Sequence, residues 1–238
     1  MDFSTFIDLL KLNNKVISVS RINDMNCSDE IKAGCTLSIL NESFNGKTIV
    51  FTSEMKSCSG AIRGFGFKDG FPNVPGGFGM FLTTGAGKGC PPGERIKCST
   101  DIAEEMLLSQ PTDVMNGHTA ILTKPYEDSD SADLVISLVN PDQLSALIHL
   151  FNYRKTDYDN VIMPMVSGCA SVFRIPFDEL KRDNPRAVVG NVDVFSRPHF
   201  EKDTFLFIVP HKDFKNMLSD ADRSFLFAPI WNGVKKRL

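Results

Sequence analysis

With 238 residues, 42% apolar content and 26 basic against 29 acidic side chains, the chain can bury a core of its own and has no charge excess to suit a polyanion. Its one basic run, Lys235-Lys236-Arg237, is too short to track a phosphate backbone, so nucleic acid is set aside as a partner. The apolar stretches, such as Leu134 to Val139, have strand length, and Met1-Asp2-Phe3 lacks the basic start and apolar run of a signal peptide; no membrane span is expected, and the chain reads as cytoplasmic.

Taken in order, residues 3 to 12 carry Phe3, Phe6, Ile7, Leu9 and Leu10 at helical spacing, and V-I-S-V-S-R (16–21) alternates as a strand. A second helix is predicted from Ala33 to Phe44, closed by Asn45-Gly46, then a strand over 48–52 and a turn into Cys58. Ser57 is the expected cap of a helix there, which places the Cys58 thiol near unpaired amides, where a thiolate is favoured. Ser99-Thr100-Asp101 caps a helix to about Ser109, and 118–123 reads as a strand. After an acidic loop, 125–132, come a strand over 133–139 and a strong helix start in Asn140-Pro141-Asp142-Gln143, with the helix running to about Tyr153. Strands are expected at 161–166, 186–194 and 205–209, a short helix from Pro176 to Lys181, and a last helix from His211 to Leu218.

The stretch from Cys58 to Arg95 holds eleven of the seventeen glycines. Such density suits backbone that turns with positive φ or lies close to a ligand, so a site is expected here. Within it Gly85, Gly87 and Lys88 offer amides and an ammonium to a phosphate or carboxylate, although neither the P-loop nor the dinucleotide pattern is matched. Arg63, Arg95, Arg174 and Arg197 are the cations that would fork such an anion. The phenylalanines of the stretch read as core filler.

Six cysteines, at 27, 35, 58, 90, 98 and 169, are too sparse for a disulfide framework, and no C-x-x-C occurs, so a thiolate site must be assembled from distant segments. Setting Cys58 over Cys169 aligns C-S-G-A-I-R with C-A-S-V-F-R and suggests two similar lobes, 15–124 and 133–220, related by a weak internal repeat.

Several of these segments together, C-S-G-A-I-R-G-F-G-F (58–67), P-G-G-F-G-M-F-L-T-T-G (75–85), P-G-E-R (92–95), V-N-P-D-Q (139–143), S-G-C-A-S (167–171), P-R-A-V-V-G (185–190) and D-V-F-S-R-P (193–198), resemble the family catalogued as domain of unknown function 169 of archaea and bacteria. The resemblance spans about residues 15 to 220 and implies no established reaction. It implies that cysteines matching Cys35, Cys58 and Cys169 recur, whereas Cys27, Cys90 and Cys98 are additions of this chain.

The expected fold is α+β or mixed α/β in a single compact domain. Three functional readings stay open. The first is a site for a small anionic ligand or a thiolate-held cofactor, an iron-sulfur cluster or other soft metal on Cys35, Cys58 and Cys169. The second is a thiol-dependent enzyme with Cys58 as nucleophile and one of His118, His149, His199 or His211 as base. A structural or partner-binding protein with inert, packed cysteines is the third.

Overall fold

Alternation along the strands decides how the sheet is covered. In the computed structural model, which describes residues 1–13, 15–23, 34–55 and 57–238, seven strands form one sheet in the order β2-β3-β1-β4-β7-β6-β5. They are β1 (Val16–Ile22), β2 (Ile49–Thr52), β3 (Ala120–Pro125), β4 (Leu134–Val139), β5 (Val161–Ile162), β6 (Ala187–Gly190) and β7 (Phe205–Pro210). All neighbours pair antiparallel except β5 with β6.

Because successive side chains point to opposite faces, Leu134, Ile136 and Leu138 of β4 join one core while Val135 and Val139 join the other. The first core, with Ile17, Val19, Leu206 and Ile208, receives α2 (Thr36–Phe44), α3 (Ser59–Gly64) and the helix through Val172, Phe173 and Phe177. The second receives α1 (Phe3–Leu10), α6 (Pro141–Phe151) and α8 (His211–Asp220). Both faces of the sheet are thus covered by helices, and the chain is an α+β single domain. Among the described residues no helix is long and apolar enough to cross a membrane.

Several local signals act as read. Asn140 and Gln143 form a complete capping box, each side chain accepting the other's backbone N–H at 2.9 Å, with Pro141 at the first helical position. Ser99 caps α5 (Thr100–Leu108) by accepting from the Ile102 amide. Elsewhere the elements are shorter or displaced. The strand expected over 161–166 stops at Ile162, two residues before Pro164, which has no N–H for the ladder. That expected over 186–194 ends at Gly190, because Asn191 turns to φ +64°. Cys58 itself, not Ser57, occupies the N-cap of α3, and Cys35 does the same for α2; the expected helix start at Ala33, like Cys27, lies outside the described residues.

The helix expected at Pro176 begins earlier. Residues 168 and 169 are already helical, Ala170–Arg174 form a π-helical segment, and α7 (Ile175–Glu179) continues it. This segment is fixed from three sides. Phe173 lies 4.2 Å from Phe65 between ring centroids, and Phe65 lies 4.8 Å from Phe51 of β2. Arg174 is fully buried and donates from Nε to the Arg63 carbonyl (2.8 Å), from Nη2 to the Lys68 carbonyl (2.9 Å), and from Nη1 to the Asp69 carboxylate (2.9 Å) and the Pro111 carbonyl.

The two halves meet at the antiparallel β1–β4 pair, and each sets its last long strand, β3 or β7, beside its first. The Cys58 and Cys169 segments lie on the same face of the sheet, while the helices preceding them, α2 and α6, lie on opposite faces. A simple twofold would not separate α2 from α6 in this way.

Candidate functional site

Three cysteines from distant segments converge on the face that carries α2 and α3. An isolated parallel bridge between Gly34 and Ser57 sets the two chains side by side, so Cys35 and Cys58 leave adjacent backbone positions, each extended and each opening a helix. Neither side chain caps its helix, which leaves both thiols without a tie to the backbone amides. Cys58 is exposed and Cys35 half-buried.

Cys169 arrives from the other half of the chain by close packing at a glycine. A Cβ on Gly64 would stand 2.5 Å from the Cys169 Cβ and 3.2 Å from the Ala170 nitrogen, so α3 and the Cys169 helix touch backbone to side chain only because residue 64 has none. Burial drives the Cys169 thiol far above the ordinary thiol range, and the nearby thiols of Cys58 and Cys35 add to that shift. The Thr36 hydroxyl pulls the other way from beside it, and among the described residues it has no hydrogen-bond partner although Thr36 is 1% exposed. Asp193 adds a smaller upward push from the loop after β6.

Asp193 is held by its own loop and by the Cys169 helix: Oδ2 accepts from the Gly168 amide at 2.9 Å and Oδ1 from the Phe195 amide at 3.1 Å. Its charge also reaches Glu94 of the P-G-E-R segment, whose carboxyl is raised first by burial and then by Asp193. The neighbourhood therefore gathers three thiols and the Asp193 carboxylate. Such a set suits a thiophilic cation and repels an anion.

Three of the cations expected at this site, Arg63, Arg174 and Arg197, are engaged elsewhere. Arg63 donates to the Leu107 carbonyl (3.0 Å) and the Asp69 carbonyl and lies over the Phe71 ring at 3.6 Å; burial and then Arg174 pull it down to about 10. Arg174 is saturated as described above. Arg197 donates to the carbonyls of Asn191 (3.2 Å), Lys202 and Thr204, closing the loop that carries Asp193. Arg95 and Lys88 are exposed on the glycine-rich stretch, the former at φ +54°.

That stretch folds mainly upon itself. A Cβ on Gly85 would meet the Gly93 nitrogen at 2.5 Å, and a Cβ on Gly93 the Thr83 oxygen at 2.3 Å, while the Glu94 amide bonds the Phe81 carbonyl and that of Arg95 the Thr83 carbonyl. Gly87 differs: its φ is +93° but its Cβ direction is open. Leu82, Ala103 and Leu107, with Phe71, Phe78 and Phe81, form the small core beneath. Gly85 and Gly93 thus meet the loop's own backbone at contact distance.

Among the described residues no three His, Cys, Asp or Glu side chains are already arranged to hold a metal ion. The crevice beside Cys35 and Cys58, lined by Thr36, Ser57, Ala61 and Phe65, is too narrow for water. A cavity of about 600 Å³ lies elsewhere, at the far end of α2 around Asn41, Phe44 and Tyr126, roughly 13 Å from Cys35 along the helix. His118 and His149 each bond a backbone carbonyl of their own segments, His211 accepts from the Ala132 amide, and no bond pairs a histidine with Cys58 among the described residues.

Thr36, Glu94 and Asp193 are the residues the sequence reading passed over. Asp193 and Glu94 lie within the D-V-F-S-R-P and P-G-E-R segments, beside the arginines expected to bind an anion.

Residues 5–220 match the model of a family described as uncharacterised ArCR, domain of unknown function 169. No curated protein and no solved structure matches the chain.

Proposed function

This chain belongs to the domain of unknown function 169 family, and we propose that it binds a soft metal ion or an iron-sulfur cofactor through Cys35, Cys58 and Cys169. The observation that carries the reading is the convergence of three free cysteines from three segments: Cys35 and Cys58 follow one parallel bridge, and Cys169 packs on Gly64 of the helix that Cys58 opens. Thiolates are the ligands such centres select, and the unpartnered Thr36 hydroxyl gives the site an additional polar group. Capture requires Cys35 and Cys58 to turn their side chains toward Cys169, a rotation their uncapped positions permit. Cys169 must lose its proton, so binding releases protons and strengthens as pH rises.

A small anionic ligand at the thiols is disfavoured by the same geometry, since Arg63, Arg174 and Arg197 are engaged with carbonyls and the Asp193 carboxylate acts on Cys169. Among the described residues no hydrogen bond joins Cys58 to a histidine, so the geometry lends the nucleophile reading no support. The test is a visible absorption spectrum with metal analysis on anaerobically purified protein. Expected is a thiolate-to-metal charge-transfer band that Cys58→Ser and Cys169→Ser each remove and that Cys90→Ser and Cys98→Ser leave intact; a metal-free, featureless protein that also fails to take up ferrous iron or cadmium would overturn the proposal.

A further inference from the structure

We infer that Cys35 and Cys58 are a reversible disulfide pair, a modification site within the thiol cluster. The inference shares that site with the cofactor reading, but it stands on separate geometry.

The isolated bridge between Gly34 and Ser57 is parallel, so the residues that follow, Cys35 and Cys58, leave neighbouring chains side by side and in the same direction. Neighbouring chains stand about 4.8 Å apart, inside the 4.4–6.8 Å span of Cα separations that a disulfide needs, roughly stated. Both residues have extended dihedrals, φ −63° and ψ 131° at Cys35 and φ −65° and ψ 142° at Cys58, so the two Cα–Cβ bonds leave near-identical backbone. Cys58 is exposed and Cys35 half-buried, so an oxidant meets Cys58 first. Cys169 is a poor third participant because it is buried and out of the oxidant's reach.

The oxidant is a small-molecule disulfide such as oxidised glutathione. The Cys58 thiolate attacks one sulfur of it, forming a mixed disulfide and releasing one glutathione thiolate. Cys35, deprotonated, then attacks the Cys58 sulfur and releases the second. Two protein thiols are oxidised, one disulfide is reduced to two thiols, and the two protons lost by the cysteines pass to the released thiolates. Closure removes two of the three proposed cofactor ligands, so the oxidised chain would not hold the metal.

The experiment treats chelator-stripped full-length protein with oxidised glutathione, blocks remaining thiols and maps the tryptic peptides. Expected is a crosslink between peptide 33–47 and peptide 57–63, reversed by dithiothreitol, retained in Cys169→Ala and absent in Cys35→Ser and Cys58→Ser. A stable glutathione adduct on Cys58, a crosslink to Cys169, Cys90 or Cys98, or two thiols that stay alkylatable would overturn it. Cadmium uptake by the reduced chain is measured in parallel. Uptake without the crosslink refutes this inference alone, and the crosslink without uptake refutes the cofactor reading alone.

Discussion

Replacing Gly64 by alanine places a methyl 2.5 Å from the Cys169 Cβ and 3.2 Å from the Ala170 nitrogen, against ordinary contact nearer 3.4–4 Å. Neither obstacle is the end of a flexible side chain, so α3 and the Cys169 helix must separate by about 1 Å, and overpacking of this kind costs about 1–3 kcal/mol. Alanine also recovers helix propensity worth up to about 1 kcal/mol, so a net destabilisation of about 1–2 kcal/mol is expected. Gly60, in the same helix with open space in its Cβ direction, is the internal control. Gly60→Ala collects the propensity term without the clash and should be neutral or stabilised by a few tenths to about 1 kcal/mol. Urea denaturation reads both through the midpoint at unchanged slope. Separation of the helices also exposes Cys169, so its alkylation should quicken in Gly64→Ala and not in Gly60→Ala. If both alanines shift stability in the same favourable direction, the contact that delivers Cys169 to Cys58 is not there.

Further outcomes follow from other contacts. Arg174→Lys should cost about 3–5 kcal/mol by urea melt, since one ammonium cannot replace a guanidinium that serves three carbonyls and Asp69, and near-wild-type stability would remove its anchoring role. Gly85→Val should collapse the 80–96 loop and speed its proteolysis because its Cβ meets backbone, whereas Gly87→Ala should cost only the strain of a positive φ, about 1–2 kcal/mol; equal losses would contradict the difference in their surroundings. Because burial raises the Cys169 thiol in the folded chain, the unfolded chain loses that proton first as pH rises. This contribution to stability is therefore complete below about pH 8.5 and declines above it by up to about 1.4 kcal/mol per pH unit. Cys169→Ala should flatten that part of the profile, and an unchanged slope would show that the thiol is not buried as described.

Legibility of the sequence depended on whether a signal was local. Asn140, Pro141 and Gln143 act within one helical turn, and their geometry follows from the residues alone. Pro164 and Asn191 are equally local, and they cut short two strands that apolar runs had extended. The Cys169 helix begins well before the expected Pro176, with the Ala170 amide donating to the Ser167 hydroxyl at 3.4 Å. At the site, the cysteine set follows from the family resemblance, and the structure brings the Cys58 helix against the Cys169 segment at Gly64. The roles of arginine and glycine were not legible, because a buried guanidinium bonding carbonyls and a solvent-facing one awaiting an anion have the same letter. Gly85 and Gly93 meet across a turn, a contact visible only once the loop is closed.

The central claim is that Cys35, Cys58 and Cys169 can act on one thiophilic centre, and trivalent arsenic, which bridges three thiols, tests it most directly. Reduced protein is incubated with arsenite, the free thiols are alkylated, and the labelled sites are mapped. Uptake of one arsenic per chain, with Cys35, Cys58 and Cys169 protected together and Cys90 and Cys98 still labelled, is the predicted result. Absence of uptake, or protection of a set that omits Cys169, would contradict it.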